Sequence, residues 1–256
     1  MQSLVESFRS IGIKPGTRLI VHSALRHLGP IEGGADTLLD ALLACIGQSG
    51  IVMVPTFTYN NVVYDPEATP SGTGIFTEIV RKRPGAVRSL HPTHSVAAIG
   101  EGAAQLCEGH HPLPGFGIDS PLDRLAKAGG GILLLGVGHT GNSTVHVGES
   151  HARVPYLDIP FNPEWPSRIA ITGPVPMEVD LYDHPGCSRA FGVVEASLRQ
   201  RKAIRDGKIG TGLAQWMSGE SVISAAVDLL RQDAAALLCN DPECYRCSRA
   251  RARLGR

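Results

Sequence analysis

The chain has 256 residues, 43% of them hydrophobic and 19% charged, which suits a globular protein with a sizeable core. Twenty-four basic residues balance twenty-four acidic ones, so no global field draws the protein toward nucleic acid or a membrane surface. The N-terminal MQSLVESFRSIGIKPG lacks the apolar core of a signal peptide, and no apolar run is long enough to span a bilayer. The expected location is therefore the cytoplasm, where the six cysteines would be reduced.

Along the chain, residues 3–11 read as a short helix and TRLIVHS (17–23) as a buried strand. GADTLLDALLACIG (34–47) has apolar residues at helical spacing and ends on glycine. GIVMVPTF (50–57) reads as a second buried strand, and TGIFTEIVRKRPG (73–85) as a helix stopped by Pro84. SVAAIG (95–100) and GILLLGVG (131–138) are further strands. SPLDRLAKAGG (120–130) has the form of a capping box: Ser120, Pro121 at the first helical position, then Asp123. Residues 155–180 are proline-rich, and VPMEVDLY (175–182) alternates like a strand with one wet face. FGVVEASLRQRK (191–202) and SGESVISAAVDLLRQDAAALL (218–238) read as helices. Alternating β and α units with continuous apolar strands point to a layered α/β domain. The expected division is residues 1–238 and a cysteine-rich, basic tail, 239–256, pinned to the same domain.

Gly136, Gly138 and Gly141 spell G-x-G-x-x-G after an apolar strand. A dinucleotide loop would continue into a full helix and a second strand ending in an acid. Here Pro155 cuts the helix short, and DIPFNPEWP does not read as a parallel strand. The glycines are better explained by close packing at a strand end.

In NSTVHVGESH (142–151), His146 and Glu149 stand three apart and share one helix face. A carboxylate beside an imidazole raises its basicity and fixes its orientation, as a general base requires. A half-buried histidine beside a surface glutamate would give the same spacing.

Four segments occur in a fixed order: VHSALRHLGPIEGGADTLLDALLACIGQSGIVMVPTFTYN (21–60), SGTGIFTEIVRKRPGAVRSLHPTHSVAAIG (71–100), SPLDRL (120–125) and GVGHTGNSTVHVGE (136–149). Together they resemble the aminoglycoside N3-acetyltransferase family, some of whose members do not confer resistance. The resemblance implies a three-layer α/β/α fold that binds acetyl-CoA and transfers its acetyl group to an amine. It implies that His146 is the base and Glu149 its acidic partner, with Val147-Gly148 where the family usually has leucine-alanine. It assigns Ser23, Ala24 and Leu25 to the pantetheine, and Arg88 and Ser89 to the neighbourhood of the phosphates. His91 and His94 also match family positions, as groups that shape the site. Thr56, at a strand end, is the candidate oxyanion donor. Ser120 is a helix cap whose helix start could also face the cofactor. A polycationic acceptor calls for carboxylates, and Asp65, Glu67 and Glu78 are the candidates beside Glu149.

Cys239, Cys244 and Cys247 are spaced C-x4-C-x2-C, and Cys187 completes a four-thiolate set suited to structural zinc. His184 is an alternative fourth ligand. Cys45 and Cys107 read as small core residues. The basic end, CSRARARLGR, is weak evidence for nucleic-acid binding.

The leading expectation is thus an acetyl-CoA-dependent N-acetyltransferase acting on the 3-amino group of a 2-deoxystreptamine aminoglycoside. An enzyme of the same fold with a non-antibiotic amine is the alternative. A hydrolase using Ser23 or Ser143 is disfavoured by the lack of a G-x-S-x-G elbow. A zinc-stabilised binding module without turnover is the remaining reading. The partners expected are a small-molecule amine and CoA, with a homodimer left open.

Overall fold

The structure, a computed structural model, describes residues 1–58, 62–164, 166–173, 176–181 and 186–256. The first half contains α1 (Gln2–Ser10), β1 (Arg18–Ser23), α2 (Gly34–Ile46), β2 (Ile51–Pro55), β3 (Val63–Tyr64), α3 (Ile75–Lys82), β4 (Val87–Arg88), β5 (Val96–Gly100), α4 (Ala103–Cys107) and α5 (Pro121–Lys127). The second half contains β6 (Gly131–Leu135), α6 (Thr144–Ala152), β7 (Arg168–Ile171), β8 (Met177–Asp180), α7 (Val194–Gln200), β9 (Arg205–Ile209), β10 (Gly212–Ser218), α8 (Gly219–Gln232) and α9 (Tyr245–Arg253). Short 3-10 turns lie at Leu25–Leu28, His139–Gly141 and Phe191–Val193.

A mixed seven-stranded sheet runs β4-β5-β2-β1-β6-β10-β9. Its centre, β2-β1-β6, is parallel, and β5 and β10 join it antiparallel. The central strands IVMVP and GILLL are buried throughout, so both faces of the sheet need cover. Side chains alternate between the faces. Leu19, Val21, Val52 and Leu133 pack with Phe8, Leu42 and Phe76 of α1, α2 and α3. Ile20, Met53, Ile132 and Leu134 pack with Leu125, Val147, Leu198 and Val222 of α5, α6, α7 and α8. The three layers are helix, sheet and helix, as the family resemblance implied.

Several elements differ from the sequence reading. α3 ends at Lys82, because Arg83 is extended as the residue before proline prefers. Ser120 begins α5, but its hydroxyl makes no capping bond. Asp123 instead accepts from the Asp119 amide at 2.7 Å and pairs with Lys127 and His151. The expected strand at 175–182 is β8, Met177–Asp180, paired with β7, while Val175 and Tyr182 lie outside the described residues. The β9–β10 hairpin was not anticipated. The helix expected to reach 238 stops at Gln232. Helix α9 places Cys247 and Ala250 in the same apolar cluster as α6 and α8. Among the described residues no helix is long and apolar enough to cross a membrane.

Candidate active site

Parallel strands β1, β2 and β6 end at Ser23, Pro55 and Leu135, and Val137 lies two residues past the end of β6. These carboxyl ends border a pocket of about 690 Å³, the usual place for a site in an open α/β sheet. Gly136 makes the turn out of β6 with φ +66, and a Cβ there would lie 2.8 Å from the Ala24 carbonyl oxygen. Close packing thus accounts for Gly136, whereas a Cβ at Gly138 would meet nothing within 4 Å, so the run as a whole is only partly a packing device. It leads into a 3-10 turn and the nine-residue α6, not a dinucleotide-binding unit.

Asn142 is buried, and its side-chain oxygen accepts from the Thr144 amide at the start of α6. Val145 and Val147 anchor the helix in the core. Gly148 lets it approach α8, since a Cβ there would stand 2.4 Å from that of Ala226. The Val-Gly spacer is thus a close-packing device.

His146 and Glu149 come out on one face. Nδ1 of His146 lies 2.6 Å from Oε2 of Glu149. His146 lines the pocket at 6% exposure, whereas Glu149, at 2%, sits behind it. The imidazole stacks on Phe116 (centroids 5.2 Å, interplanar angle 1°) and meets Phe191 edge-on at 4.5 Å. With Glu149 accepting the Nδ1 proton, Nε2 keeps its lone pair. The geometry can hold an oriented base beside a mostly apolar pocket. Neither phenylalanine was singled out in the sequence, where no periodicity ties residues 116 and 191 to a helix at 144–152.

Of the expected cofactor residues, Ser23 lines the pocket. Ala24 and Leu25 follow it, partly buried, outside the lining. Arg88 is committed elsewhere. Its guanidinium donates to the carbonyls of Thr56 (2.8 Å) and Thr69 (2.5 Å) and lies over the Tyr64 ring. Ser89 accepts from the Val96 amide and bonds His110, both at 2.9 Å. Both side chains thus make structural contacts, and neither is among the residues that line this pocket. The Ser120 hydroxyl is buried with no hydrogen-bond partner among the described residues, and Ser120 is not among the residues that line this pocket.

Thr56 is held by neighbouring groups. It is fully buried, its hydroxyl bonds Ser95 at 2.9 Å, and Arg88 Nε points at it from 3.2 Å. It is not among the residues that line the pocket. Among the described residues, the expected acidic groups do not line this pocket. Asp65 turns back on the Glu67 and Ala68 amides at 2.8 Å, and those amides hold its carboxyl below the usual range. Glu78 pairs with Arg81 at 2.7 Å, which brings its pKa down to about 2. Glu67 is exposed beside a separate groove. No aspartate or glutamate occurs in the described lining.

His22 also lines the pocket, and the sequence reading missed it. Burial, with His139 nearby, lowers its pKa to about 3, so it is neutral near pH 7. His91 and His94 are buried; both meet other rings, and His94 borders the pocket. Ser23 and Ser143 both reach the lining, but neither hydroxyl is hydrogen-bonded to the His146 ring among the described residues.

Cys187, Cys239, Cys244 and Cys247 converge. Their sulfurs all lie within 4.8 Å of one another, and all four residues are buried. A tetrahedral zinc site with Zn–S bonds of about 2.3 Å needs sulfurs about 3.8 Å apart, so small side-chain rotations would close the set. Burial pushes the Cys187 thiol up to about 11 and that of Cys247 higher still; a bound cation would reverse this by holding thiolates. His184 lies outside the described residues.

The family model for aminoglycoside 3-N-acetyltransferase matches residues 20–231. Aminoglycoside N(3)-acetyltransferase IV of Salmonella sp is 30% identical over 233 residues, 90% of this chain and 87% of that protein. Aminoglycoside N(3)-acetyltransferase VIII of Streptomyces fradiae is 32% identical over 174 residues, 59% and 61% of the two chains. A crystal structure of aminoglycoside acetyltransferase AAC(3)-IVa, a histidine-to-alanine variant in complex with a gentamicin, superimposes with a TM-score of 0.87. It is 29% identical, with 98% of this chain and 96% of that one covered. AAC-IIIb, solved as a binary complex with CoASH, shares the fold at 24% identity and a TM-score of 0.78, covering 90% and 96%. The chain belongs to the aminoglycoside 3-N-acetyltransferase family, and it is an acetyltransferase.

Proposed function

We propose that the protein transfers an acetyl group from acetyl-CoA to the 3-amino group of an aminoglycoside, with His146 as general base. The observation that carries this reading is the His146–Glu149 contact at the pocket wall. An ammonium has no lone pair and must lose a proton before it attacks. Nε2 of His146 takes that proton as the nitrogen–carbon bond forms, while Glu149 stabilises the imidazolium. When the tetrahedral adduct collapses, the carbon–sulfur bond breaks and the CoA sulfur leaves. Family membership and the gentamicin complex of a relative support the acceptor class, and the CoASH complex of a protein with the same fold supports the donor.

Ser23 is the residue of the expected pantetheine segment that stands at the pocket. We also propose that the four clustered cysteines bind a structural zinc ion, which fits their donor chemistry and burial. A reducing compartment, the cytoplasm, would keep those thiols available as ligands.

The reaction is tested by incubating a panel of 2-deoxystreptamine aminoglycosides with acetyl-CoA and the protein. A single added acetyl group by mass spectrometry, located by NMR on the 3-amino nitrogen, is expected. Acetylation only at other amines, or only of amines outside this class, would overturn the acceptor assignment.

A further inference from the structure

The four-cysteine cluster is not remote from the pocket: Cys187 belongs to both. Part of the lining comes from two irregular stretches, Phe161-Asn162 and Gly186–Arg189. Neither stretch belongs to a helix or strand, so no backbone ladder fixes it and its position depends on side-chain anchors.

Those anchors converge on the chain end. Arg189 forms an ion pair with Asp241, in the loop between Cys239 and Cys244. The Arg189 amide donates to the Cys187 sulfur at 3.4 Å. Arg246, at the start of α9 and 1% exposed, donates to the Ile159 carbonyl two residues before Phe161. It also lies against the Gly186 backbone, where a Cβ would be 1.8 Å from its Nε. Cys247 is the next residue. Helix α9 and the cysteine loop therefore grip both stretches of this wall, and Cys187 is the covalent end of that grip.

We infer that the metal centre is the clamp of the pocket wall. This rests on the zinc reading given above. A tetrathiolate ion ties Cys187 to Cys239, Cys244 and Cys247 and so fixes residues 186–189 against α9. The wall presents Asn162 and Ser188, polar groups suited to a hydroxyl-rich amine, whereas Ser23 stands on the strand-end part of the lining. Metal occupancy then governs affinity for the acceptor, not for CoA, and Cys187 is a positioning residue for acceptor binding.

The test starts from the purified full chain, with its zinc content measured by plasma mass spectrometry. Hydrogen–deuterium exchange is followed before and after metal removal by a chelator under reducing conditions, and again after zinc is restored. Removal is expected to speed exchange in peptides covering 159–162 and 186–189 while leaving the β1 and β6 peptides protected. Gentamicin affinity should fall about tenfold or more with CoA affinity retained, and zinc should reverse both changes. Cys187→His, which keeps a zinc ligand, should retain the metal and a slow-exchanging wall, whereas Cys187→Ser should not. Asp241→Asn leaves all four ligands in place and should loosen only 186–189. Zinc-loaded protein whose wall exchanges no faster after removal would overturn the clamp and leave the zinc reading standing. A uniform rise in exchange throughout the chain would also overturn it. Protein that neither contains zinc nor takes it up would overturn the zinc reading and the clamp together.

Discussion

Nδ1 of His146 and Oε2 of Glu149 stand 2.6 Å apart on one face of α6, with the carboxylate almost wholly buried behind the ring. A buried carboxylate with its oxygen on an imidazole nitrogen fixes the tautomer and favours the charged ring that forms when the base accepts a proton. Glu149→Gln keeps the shape but removes the charge. It is expected to lower kcat by about 10²-fold or more while gentamicin and CoA affinities hold, measured by steady-state kinetics and calorimetry.

Phe116 and Phe191 hold the His146 ring from its face and its edge. Both are buried in the same apolar cluster as α6. Phe191→Ala should cost about 3–5 kcal/mol of stability in denaturant titration, and lower kcat more than it raises the acceptor KM. Phe191→Leu should recover most of the stability but less of the turnover, because it fills volume without restoring the ring edge.

Gly148 sets the distance between α6 and α8. An added methyl group would meet Ala226 at 2.4 Å, and overpacking of that kind costs about 1–3 kcal/mol. Gly148→Ala should destabilise the protein by that amount and slow catalysis by shifting His146. Ala226→Gly in the same chain should reverse part of both losses, a coupling readable in a double-mutant cycle.

Stability should fall with acid in two stages. His22 titrates near 6.5 when unfolded and near 3 in the folded protein, because burial and His139 oppose its charge. Below pH 6.5 the unfolded chain binds a proton that the native chain refuses, so stability declines from there toward pH 3 and is unaffected above. Glu78, lowered from 4.5 to about 2 by Arg81, adds a second loss between those values. Thermal melting across this range should show Tm dropping below pH 6.5, and His22→Asn should make the decline between 6.5 and 4.5 shallower, the rest coming from His110 and His139, which burial also lowers.

Much of the fold was legible because buried strands and amphipathic helices write their periods into the chain. IVMVP and GILLL could hardly be anything but central strands. The β9–β10 hairpin was missed because RDGKI carries charges at an exposed edge, where no apolar run marks a strand. The His146–Glu149 pair was legible because three residues along a helix place two side chains side by side. The cysteine cluster was legible as a donor set, although only folding joins Cys187 to the C-x4-C-x2-C run. Residue type alone does not reveal where the hydrogen bonds of Thr56, Arg88 and Ser89 go: Arg88 spends donors on Thr56, Thr69 and Pro66. The partners of Asp65 and Glu78 were hidden in the same way, each being satisfied by its own turn or helix.

The central claim, that His146 supplies the base, is tested most directly by comparing His146→Ala with the native protein in acetyl transfer to an aminoglycoside acceptor and in binding of CoA. The account predicts a loss of about 10²- to 10⁴-fold in kcat with CoA affinity intact. Turnover close to native, or a fall in CoA binding as large as the fall in rate, would contradict it.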